Sequence, residues 1–242
     1  MGPRPKSLNK PHKKPLKFKR FFYALKVSLK QRINILMPII DDLNLSPKTR
    51  VIIWEINESL QDLESKVVLS EYSIKLLNQK KSEIQKKQFL AIRNIFKLLS
   101  IEDNEVKYDQ AGKPILSQNT ILSISHSGNY AAVIISDQSV GIDIEKISDK
   151  AMKIKHKFLH IELNYPQELN NQTSLVYWNI KESIYKALGI KGVDFKKNIL
   201  ALPLDINSSK CISWYVNNDD IYSFETHFRI SKNYTLAFVI KN

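Results

Sequence analysis

Three closely spaced runs of β-forming residues, between positions 121 and 147, restrict the fold more than any other part of the chain. They read ILSIS, YAAVIIS and SVGIDIE, and the first two are separated by HSGN, a short glycine-containing connection typical of a β-hairpin. Hairpin-linked strands run antiparallel, so the middle of the chain is predicted to form an antiparallel sheet.

Helical and strand-like segments flank this region on both sides. A strand is predicted at residues 50–56, and the near-helical spacing of apolar residues predicts helices between residues 60 and 100. The clearest helix covers residues 174–188, and CISWYVN, YSFETHF and YTLAFVI are predicted to be antiparallel strands. The mixture indicates an α+β protein with an N-terminal subdomain at residues 37–120 and a C-terminal subdomain at residues 121–242.

The formal net charge of +13 comes almost entirely from the N-terminal segment. Of the 37 Lys and Arg residues, 11 lie in residues 1–36, which contain no Asp or Glu; the other 26 share the remaining chain with all 24 acids. Residues 1–36 are therefore predicted to be a basic, flexible extension, and no specific nucleic-acid partner is expected for the near-neutral body. Two alternatives stay open: a basic amphipathic helix at residues 16–36 for targeting or membrane-surface binding, and Met37 as the functional start.

The cysteine and histidine content excludes two common kinds of site. The single cysteine, Cys211, cannot form an intrachain disulfide and fits a reducing compartment, so a cytoplasmic location is expected. One cysteine and five scattered histidines form no zinc-type cluster. No apolar run is long enough to span a bilayer, so no transmembrane segment is expected. Carboxylates are the better candidates for metal ligands.

Two carboxylates share one face of the predicted strand SVGIDIEKI. Successive side chains on a strand alternate between faces, so Val140, Ile142 and Ile144 point one way while Asp143 and Glu145 point the other. Carboxylates roughly 6–7 Å apart along a strand repel each other unless solvent or a cation lies between them. A solvated outer strand face is the alternative interpretation.

A third carboxylate lies on the predicted helix VYWNIKESIYKALG. The apolar stripe of its helical wheel consists of Ile180, Ile184, Ala187 and Leu188. Glu182 lies on the opposite side, which is expected to carry Trp178, Lys181, Tyr185 and Lys186 as well. Surface pairing of Lys with Glu, with the aromatic rings covering a second contact surface, is the alternative.

Together the three carboxylates indicate a divalent cation. Oxygen-only ligation by Asp143, Glu145 and Glu182 suits Mg²⁺, with Mn²⁺ as an alternative, and nearby lysines would hold phosphates. This combination predicts phosphoryl or pyrophosphate chemistry.

Ser125 and His126 form a polar cluster at the hairpin connection. Adjacent residues on an extended chain point apart, so these two are not a nucleophile and its base; a hydrogen-bonding or phosphate-contacting role is the functional interpretation. A turn-forming cluster at a strand end is the alternative. The phosphate-loop pattern G-x-x-x-x-G-K-[ST] does not occur.

Four motifs between Gly112 and Gly189 carry a family resemblance. In order they are GKPIL, SISHSGNYAAVIIS, VGIDIEKI and WNIKESIYKALG. They resemble the 4′-phosphopantetheinyl transferases of the long, pseudo-dimeric type, which act on carrier proteins of fatty-acid, polyketide and nonribosomal peptide synthesis. The resemblance implies two similar α/β subdomains in one α+β chain, an active site at their junction, and a monomer.

The implied reaction is Mg²⁺-dependent transfer of 4′-phosphopantetheine from coenzyme A to a serine of an acyl or peptidyl carrier protein, releasing 3′,5′-ADP. Asp143, Glu145 and Glu182 would bind the metal, and Glu182 would activate the carrier serine directly or through water. Lys186 would contact the pyrophosphate, as both a catalytic and a cofactor-binding residue. The other implied coenzyme A contacts are Lys87, Arg93, Lys113, Ser125 and His126.

The resemblance divides these contacts among parts of the cofactor and leaves some features without a role. Lys87 and Arg93 would receive the 3′-phosphate, and Lys113 would lie near the nucleotide. The chain departs from the typical pattern at AIR, where a glycine often precedes Arg93. Glu162, in KFLHIE, stands where the family often has a glutamate and is assigned no role. A non-catalytic coenzyme A or carrier-protein binding module on the same fold is the alternative function.

Overall fold

The computed structural model describes residues 38–110, 112–116 and 120–242, together with Gly2. The predicted basic extension, its alternative helix at residues 16–36 and the alternative start at Met37 lie outside the described residues. Residues Ile39–Asn242 form one compact unit. None of the helices in the described ranges is both long and apolar enough to cross a membrane.

Strands and helices follow one another in blocks along the described chain. The strands are β1 (Ile39–Ser46), β2 (Thr49–Glu55), β3 (Val106–Tyr108), β4 (Pro114–Leu116), β5 (Ile121–Ser127), β6 (Tyr130–Ser136), β7 (Val140–Lys146), β8 (Ile199–Ala201), β9 (Lys210–Val216), β10 (Ile221–Ile230) and β11 (Tyr234–Lys241). The α-helices are α1 (Leu60–Ser65), α2 (Glu71–Asn78), α3 (Glu83–Leu98), α4 (Lys150–Ile154) and α5 (Asn171–Leu188). Short 3₁₀ helices cover Asp103–Glu105, Lys155–Lys157 and Ile161–Asn164.

Two antiparallel sheets form the centre of the molecule. One has the order β1-β2-β6-β5 and the other β7-β11-β10-β9-β8, while β3 and β4 pair separately. The hairpin predicted from HSGN is confirmed: Ser127 is opposite Tyr130, and Gly128 has a φ of 56°, a left-handed conformation that suits glycine. The prediction of a mixed α+β protein is also confirmed.

The change from one sheet to the other lies between Ser136 and Val140. The predicted subdomain boundary at residue 120 separates the hairpin β5–β6 from the N-terminal half, but β6 pairs with β2 along its whole length. The hairpin therefore belongs to the four-stranded sheet, in which β6 lies between β2 and β5. The pseudo-dimeric division into two similar subdomains stays a prediction.

Three apolar cores hold the layers together. The first packs α1, α2 and α3 on the outer face of the four-stranded sheet, and includes Ile52, Leu63, Leu90, Phe96 and Val133. The second packs α5 on the outer face of the five-stranded sheet, and includes Ile180, Ile184, Phe224 and Val239. The third lies between the sheets, and includes Ile53, Ile134, Ile142, Ile144 and Phe238. Helices thus cover both outer faces of a two-sheet centre.

Helix α5 lies unusually close to β7 because of a glycine. Asn170 caps the start of α5 with its side chain, and Gly189 ends the helix in a left-handed conformation. At Gly141 a Cβ atom would lie 1.9 Å from the carbonyl oxygen of Ser183 on α5. Only glycine permits this approach, which sets the distance between α5 and the strand that carries Asp143.

A fully buried ion pair fixes the other side of α5. Lys181 was expected on the exposed side of the wheel, but its Nζ atom is fully buried, 2.8 Å from Oε1 of Glu162. The same ammonium donates to the carbonyl oxygens of Phe195 and Ile199 at 2.9 and 2.6 Å. Glu162 in turn accepts from the amides of His160 and, at 3.3 Å, Ala201. The expectation was wrong because these partners come from segments distant in sequence.

The first prediction concerns the close approach of α5 to β7. Gly141→Ala is expected to lower the free energy of unfolding by about 3 kcal/mol, because the added methyl group collides with backbone that cannot move independently. Chemical denaturation measures the loss. Gly112→Ala is the control, since open space surrounds that position and only its φ of 82° makes alanine unfavourable, by about 1 kcal/mol. Equal losses in the two variants would contradict the packing argument.

The second prediction concerns the buried ion pair. Glu162→Leu is expected to destabilise the protein by about 3–5 kcal/mol, because it leaves the Lys181 ammonium buried without its counter-charge. Adding Lys181→Met should recover most of this loss, since an apolar pair replaces a charged one. The free energies of unfolding of both single variants and the double variant test this coupling. Additive effects would show that the two side chains do not depend on each other.

Candidate active site

Asp143 is a buried carboxylate whose two oxygens are both hydrogen-bonded. It is 4% exposed. Its Oδ1 atom accepts from Ser125 Oγ at 2.8 Å and from Lys186 Nζ at 2.7 Å, and its Oδ2 atom accepts from Asn179 Nδ2 at 2.8 Å. Thr235 donates to the side-chain oxygen of Asn179 and so holds that amide in place. The charge of Asp143 is thus stabilised by one cation and two neutral donors.

Glu145 lies two residues after Asp143 on β7 and, as predicted, on the same side of the strand. Ser127 Oγ donates to its Oε2 atom at 2.5 Å. Burial raises the pKa of Glu145, and the negative charge of Asp143 raises it further, although the Ser127 hydrogen bond opposes both. The two carboxylates therefore repel each other.

Glu182 lies on α5 beside the same two carboxylates. Burial raises the pKa of Glu182 to about 7, with Asp143 and Glu145 adding to the rise and Lys186 opposing it. The strand and the helix thus bring together the three acids predicted from spacing. Their negative charge is only partly balanced, since Lys186 is engaged mainly with Asp143.

The three acids fit a divalent cation in chemistry and in charge. They offer hard carboxylate oxygens, and a cation would stabilise the charged forms of Glu145 and Glu182, which burial disfavours. Across the described ranges, however, no three Asp, Glu, His or Cys side chains are arranged as a ready metal cage. Asp143, Glu145 and Glu182 would therefore hold Mg²⁺ only after their side chains adjust.

A cavity of about 840 Å³ opens beside the carboxylates. Ser125, His126, Asp143, Glu145 and Lys186 lie on its wall. The opposite wall comes from α2, α3 and the segment between them, and includes Gln79, Lys80, Lys81, Gln88 and Phe89. The volume is in the range of cavities that bind nucleotide-sized molecules.

A smaller cavity of about 240 Å³ adjoins the first and shares Gly112, Pro114, Ile124 and Lys186 with it. Lys113 and Glu182 lie on its wall, together with Tyr185 and Lys191. Lys113 reaches the end of α5, where its Nζ atom would be 2.5 Å from a Cβ at Gly189. Lys186 therefore stands between two connected spaces, with Glu182 at the smaller one.

The surroundings of His126 favour its neutral form. Burial lowers the pKa of the imidazole, as do the positive charges of Lys186 and Lys80. In its neutral form it can donate or accept a hydrogen bond in the large cavity but adds no positive charge there.

The structure does not bring Arg93 to the site. Its guanidinium is 2% exposed, its Nε atom lies 2.6 Å from Asp103 Oδ1, and it stacks on the ring of Phe89. It also contacts Ser73 and Tyr108 through hydrogen bonds. The side chain thus stabilises the N-terminal helical layer and has no free donor face for a phosphate.

Lys87 is also away from the site. It forms an ion pair with Glu83 one helical turn earlier, at 3.0 Å, and lies on neither cavity wall among the described residues. Lys80 and Lys81 reach the large cavity instead. The sequence analysis did not select Lys80 and Lys81, although both belong to the same lysine-rich stretch, KKSEIQKK, as Lys87.

Asn179 was also missed. It carries no charge and gave no reason for attention, but it precedes Glu182 by three positions and Lys186 by seven. That spacing places all three on one face of α5. Following the face that contains Glu182 backward along the helix would have identified it.

The third prediction uses the pH dependence of stability to test the raised pKa of Glu182. A carboxyl group whose pKa rises from 4.5 to about 7 on folding destabilises the folded state when ionised, and the penalty disappears as pH falls from about 7 to 4.5. In EDTA at pH 8.5, Glu182→Gln should therefore increase the free energy of unfolding by about 1–2 kcal/mol, allowing for solvent screening. Denaturant titrations at pH 8.5 and 5 measure both proteins. If the difference in free energy of unfolding between the two proteins is the same at both pH values, the pKa of Glu182 is not raised.

Comparison with known proteins points to one family. Residues 139–239 match the family model described as the 4′-phosphopantetheinyl transferase superfamily. The 4′-phosphopantetheinyl transferase gsp of Aneurinibacillus migulanus is 30% identical over 141 residues, which cover 55% of this chain and 58% of that protein.

Two further relatives match shorter stretches. The 4′-phosphopantetheinyl transferase psf-1 of Bacillus pumilus is 31% identical over 91 residues, or 35% of this chain and 39% of that protein. The 4′-phosphopantetheinyl transferase Sfp of Bacillus subtilis strain 168 is 30% identical over 115 residues, or 43% and 47%. The chain thus spans 39% to 58% of the length of these relatives. The resemblance found in the motifs agrees with these matches, of which the one to the model of the 4′-phosphopantetheinyl transferase superfamily covers residues 139–239.

Proposed function

We propose that the protein transfers the 4′-phosphopantetheine group of coenzyme A to a serine of an acyl or peptidyl carrier protein, with Mg²⁺ and release of 3′,5′-ADP. The observation that carries the proposal is the meeting of Asp143, Glu145 and Glu182 with Lys186 where two cavities join. The names of the relatives, all 4′-phosphopantetheinyl transferases, support the same reaction.

The large cavity is the proposed site for the nucleotide part of coenzyme A. Lys80 and Lys81 supply positive charge on one wall, and His126 can donate a hydrogen bond on the other, beside Ser125, whose own hydroxyl donates to Asp143. Lysines suit phosphates as mobile point charges, and neutral donors fix their orientation. Lys113, at the smaller cavity, is proposed to contact the cofactor where the two spaces join.

Asp143, Glu145 and Glu182 are the proposed metal ligands, with Mn²⁺ as the alternative to Mg²⁺. A bound divalent ion would neutralise charge on the pyrophosphate. Lys186 is the protein's own cation at this point, and its ammonium can donate to the oxygens that gain charge as the leaving group departs. The hydrogen bonds from Ser125 and Asn179 hold the Asp143 carboxylate in a fixed orientation for this purpose.

Glu182 is the proposed proton acceptor. In the metal-free protein burial raises the pKa of Glu182 to about 7, so the carboxylate is basic enough to accept a proton. The carrier serine oxygen forms a bond to the phosphorus that bears pantetheine, and the bond from that phosphorus to 3′,5′-ADP breaks. The hydroxyl proton passes to Glu182 directly or through water, and 3′,5′-ADP leaves with the electron pair of the broken bond.

The proposal also includes the setting of the reaction. The single cysteine is compatible with a reducing compartment, so we place the enzyme in the cytoplasm, acting as a monomer. The carrier that it modifies would decide whether it serves fatty-acid, polyketide or nonribosomal peptide synthesis.

The fourth prediction tests the reaction itself. Several apo carrier proteins incubated with coenzyme A, Mg²⁺ and the enzyme should gain one phosphopantetheine group, which intact-protein mass spectrometry detects. Glu182→Gln should lower kcat by about 10²–10⁴-fold while coenzyme A still binds, because the proton acceptor is lost but the cofactor contacts stay. Absence of the adduct on every carrier would contradict the proposed function.

A matched pair of lysine variants adds a control. Lys81→Gln, on the cavity wall, should raise the KM for coenzyme A about tenfold, because a phosphate loses its counter-charge. Lys87→Gln removes the same charge from the next helix but away from the cavity, and should change the KM by less than about twofold. A larger rise in KM for Lys87→Gln than for Lys81→Gln would instead support Lys87 as the phosphate contact predicted from the sequence.

A further inference from the structure

A row of hydrogen-bonded side chains lies behind Asp143, between α5 and the five-stranded sheet. It runs from Thr235 on β11 through Asn179 on α5 to Asp143 on β7. Thr235 and Asn179 are both completely buried, and Asp143 is nearly so. Thr235 Oγ1 donates to Asn179 Oδ1 at 2.6 Å, and Asn179 Nδ2 donates to Asp143 Oδ2 at 2.8 Å. The row thus links a proposed metal ligand to the neighbouring strand by way of the helix.

The anchor of this row, Thr235, has little freedom to move. β11 lies inside the five-stranded sheet, between β7 and β10, and Thr235 is opposite Glu145 in the ladder with β7. Its stiff β-branched side chain donates to the amide oxygen of Asn179, which leaves the amide NH₂ group facing Asp143. Turning the amide over would place its oxygen against a carboxylate oxygen. Thr235 and Asp143 therefore fix the orientation of Asn179 from its two sides.

The hydrogen bonds to Asp143 leave little of its carboxylate open to a metal ion. A carboxylate has about four acceptor positions, two on each oxygen. In the described ranges, Oδ1 accepts from Ser125 Oγ at 2.8 Å and from Lys186 Nζ at 2.7 Å, and Oδ2 accepts from Asn179 alone. The remaining position is on Oδ2. Asp143, held in this way, can offer a metal one oxygen but not both.

The proposed contact of Lys186 with the pyrophosphate does not change this count. An ammonium group has three N–H donors. Lys186 uses one on Asp143 Oδ1 and one on the carbonyl oxygen of Ile142, at 3.0 Å. The third can donate to a phosphate oxygen while the other two stay in place. Oδ1 therefore stays occupied when the cofactor binds.

The other two proposed ligands are held less tightly than Asp143. Glu145 accepts one hydrogen bond, from Ser127, and Glu182 accepts none from the residues that the structure describes. These two side chains can turn to suit an ion, whereas Asp143 cannot. Mg²⁺ and Mn²⁺ favour octahedral sets of single oxygens, whereas Ca²⁺ takes more ligands and often both oxygens of one carboxylate. The fixed ligand thus suits the smaller ions.

We propose that Asn179 is a positioning residue that holds Asp143 as a one-oxygen ligand, so that the site prefers Mg²⁺ and Mn²⁺ to Ca²⁺. Asn179 acts through Asp143, and Thr235 acts through Asn179. The inference rests on the proposed function and adds the origin of the metal preference at the same site. Hydrogen-bond partners of this kind orient metal ligands, and their loss weakens metal binding about 10–100-fold.

The fifth prediction concerns metal binding by the full chain, with saturating coenzyme A and no carrier protein, so that no turnover occurs. Asn179→Leu roughly keeps the size of the buried side chain but frees Asp143 Oδ2. It should weaken Mn²⁺ binding about tenfold, because the ligand loses its orientation, and change Ca²⁺ binding by less than about twofold. Electron paramagnetic resonance of free Mn²⁺ and isothermal titration calorimetry with Ca²⁺ give the two dissociation constants. In transfer assays the KM for Mg²⁺ should rise about tenfold, and the KM for coenzyme A by less than about twofold.

Asn94→Leu is the matched control. Asn94 is 5% exposed on α3, where its amide donates to the carbonyl oxygens of Leu63 and Leu90 at 3.0 and 2.9 Å. The same substitution there removes a buried amide far from the carboxylates along the chain. It should leave both dissociation constants within about twofold of the wild-type values, because the two sites share no partner. A general loss of stability is thereby separated from the effect on the metal.

Two substitutions at Thr235 test the row without changing Asn179. Thr235→Val removes the hydroxyl and keeps the branched shape. It should weaken Mn²⁺ binding about threefold, a smaller loss because the amide still reaches Asp143. Thr235→Ser keeps the hydroxyl and should bind Mn²⁺ as the wild-type protein does. If Asn179→Leu does not fold, this pair decides.

The outcomes separate the inference from the proposed function. Equal losses of Mn²⁺ and Ca²⁺ binding, or no loss of either, would overturn the role of Asn179, while transfer by the wild-type protein would leave the proposed function intact. Wild-type protein that binds Ca²⁺ as tightly as Mn²⁺ would overturn the proposed preference. Wild-type protein that binds neither ion and modifies no carrier would overturn both the inference and the proposed function.

Discussion

The structure depends on a contact between two edge strands that share no backbone ladder. β5 is the edge of one sheet and β7 the edge of the other, and serine hydroxyls connect them. The acceptors are the Oγ atoms of Ser123, Ser125 and Ser127, and the donors are the amides of Ile142, Ile144 and Lys146, each at 3.2 Å. Because the hydroxyls of Ser125 and Ser127 also donate to Asp143 and Glu145, each satisfies an edge-strand amide and orients a carboxylate. The same serine hydroxyls therefore join the two sheets and orient the carboxylates of the site.

The three carboxylates of the site differ in how much of their charge is balanced. Asp143 accepts hydrogen bonds from Ser125, Asn179 and Lys186, which fix its orientation. Among the described residues Glu182 has no such set of donors, and burial beside two other acids raises its pKa to about 7. The two carboxylates thus suit different proposed tasks, Asp143 holding a fixed position and Glu182 accepting a proton. Environment rather than residue type therefore determines which acid can act as a base.

Sequence periodicity predicted the parts of the site that depend on local geometry. Strand alternation placed Asp143 and Glu145 on one side, and helical spacing placed Glu182 on a face opposite the apolar stripe. What it missed depends on contacts between distant segments. Arg93 carries the charge expected of a phosphate contact, but it is buried against Asp103 and the ring of Phe89. β1 was not predicted, because its sequence IIDDLNLS is polar, as an exposed edge strand can be. Asn179 shares the helix face of Glu182, but its hydrogen bond to Asp143 joins residues 36 positions apart in the sequence.

The rotation of α5 about its axis decides whether Glu182 can work at all. Neighbouring residues on a helix are about 100° apart, so the direction of Glu182 follows from where Lys181 is anchored. Lys181 is locked to Glu162 in the core, and Gly141 lets the backbone at Ser183 press against β7. Three consecutive positions thus differ in their tasks: Lys181 anchors the helix, Glu182 is the proposed base, and Ser183 contacts the strand. The sequence analysis assigned no role to Glu162. In the structure its charge anchors Lys181, and so holds the helix in the rotation that presents the proposed base to the cavity.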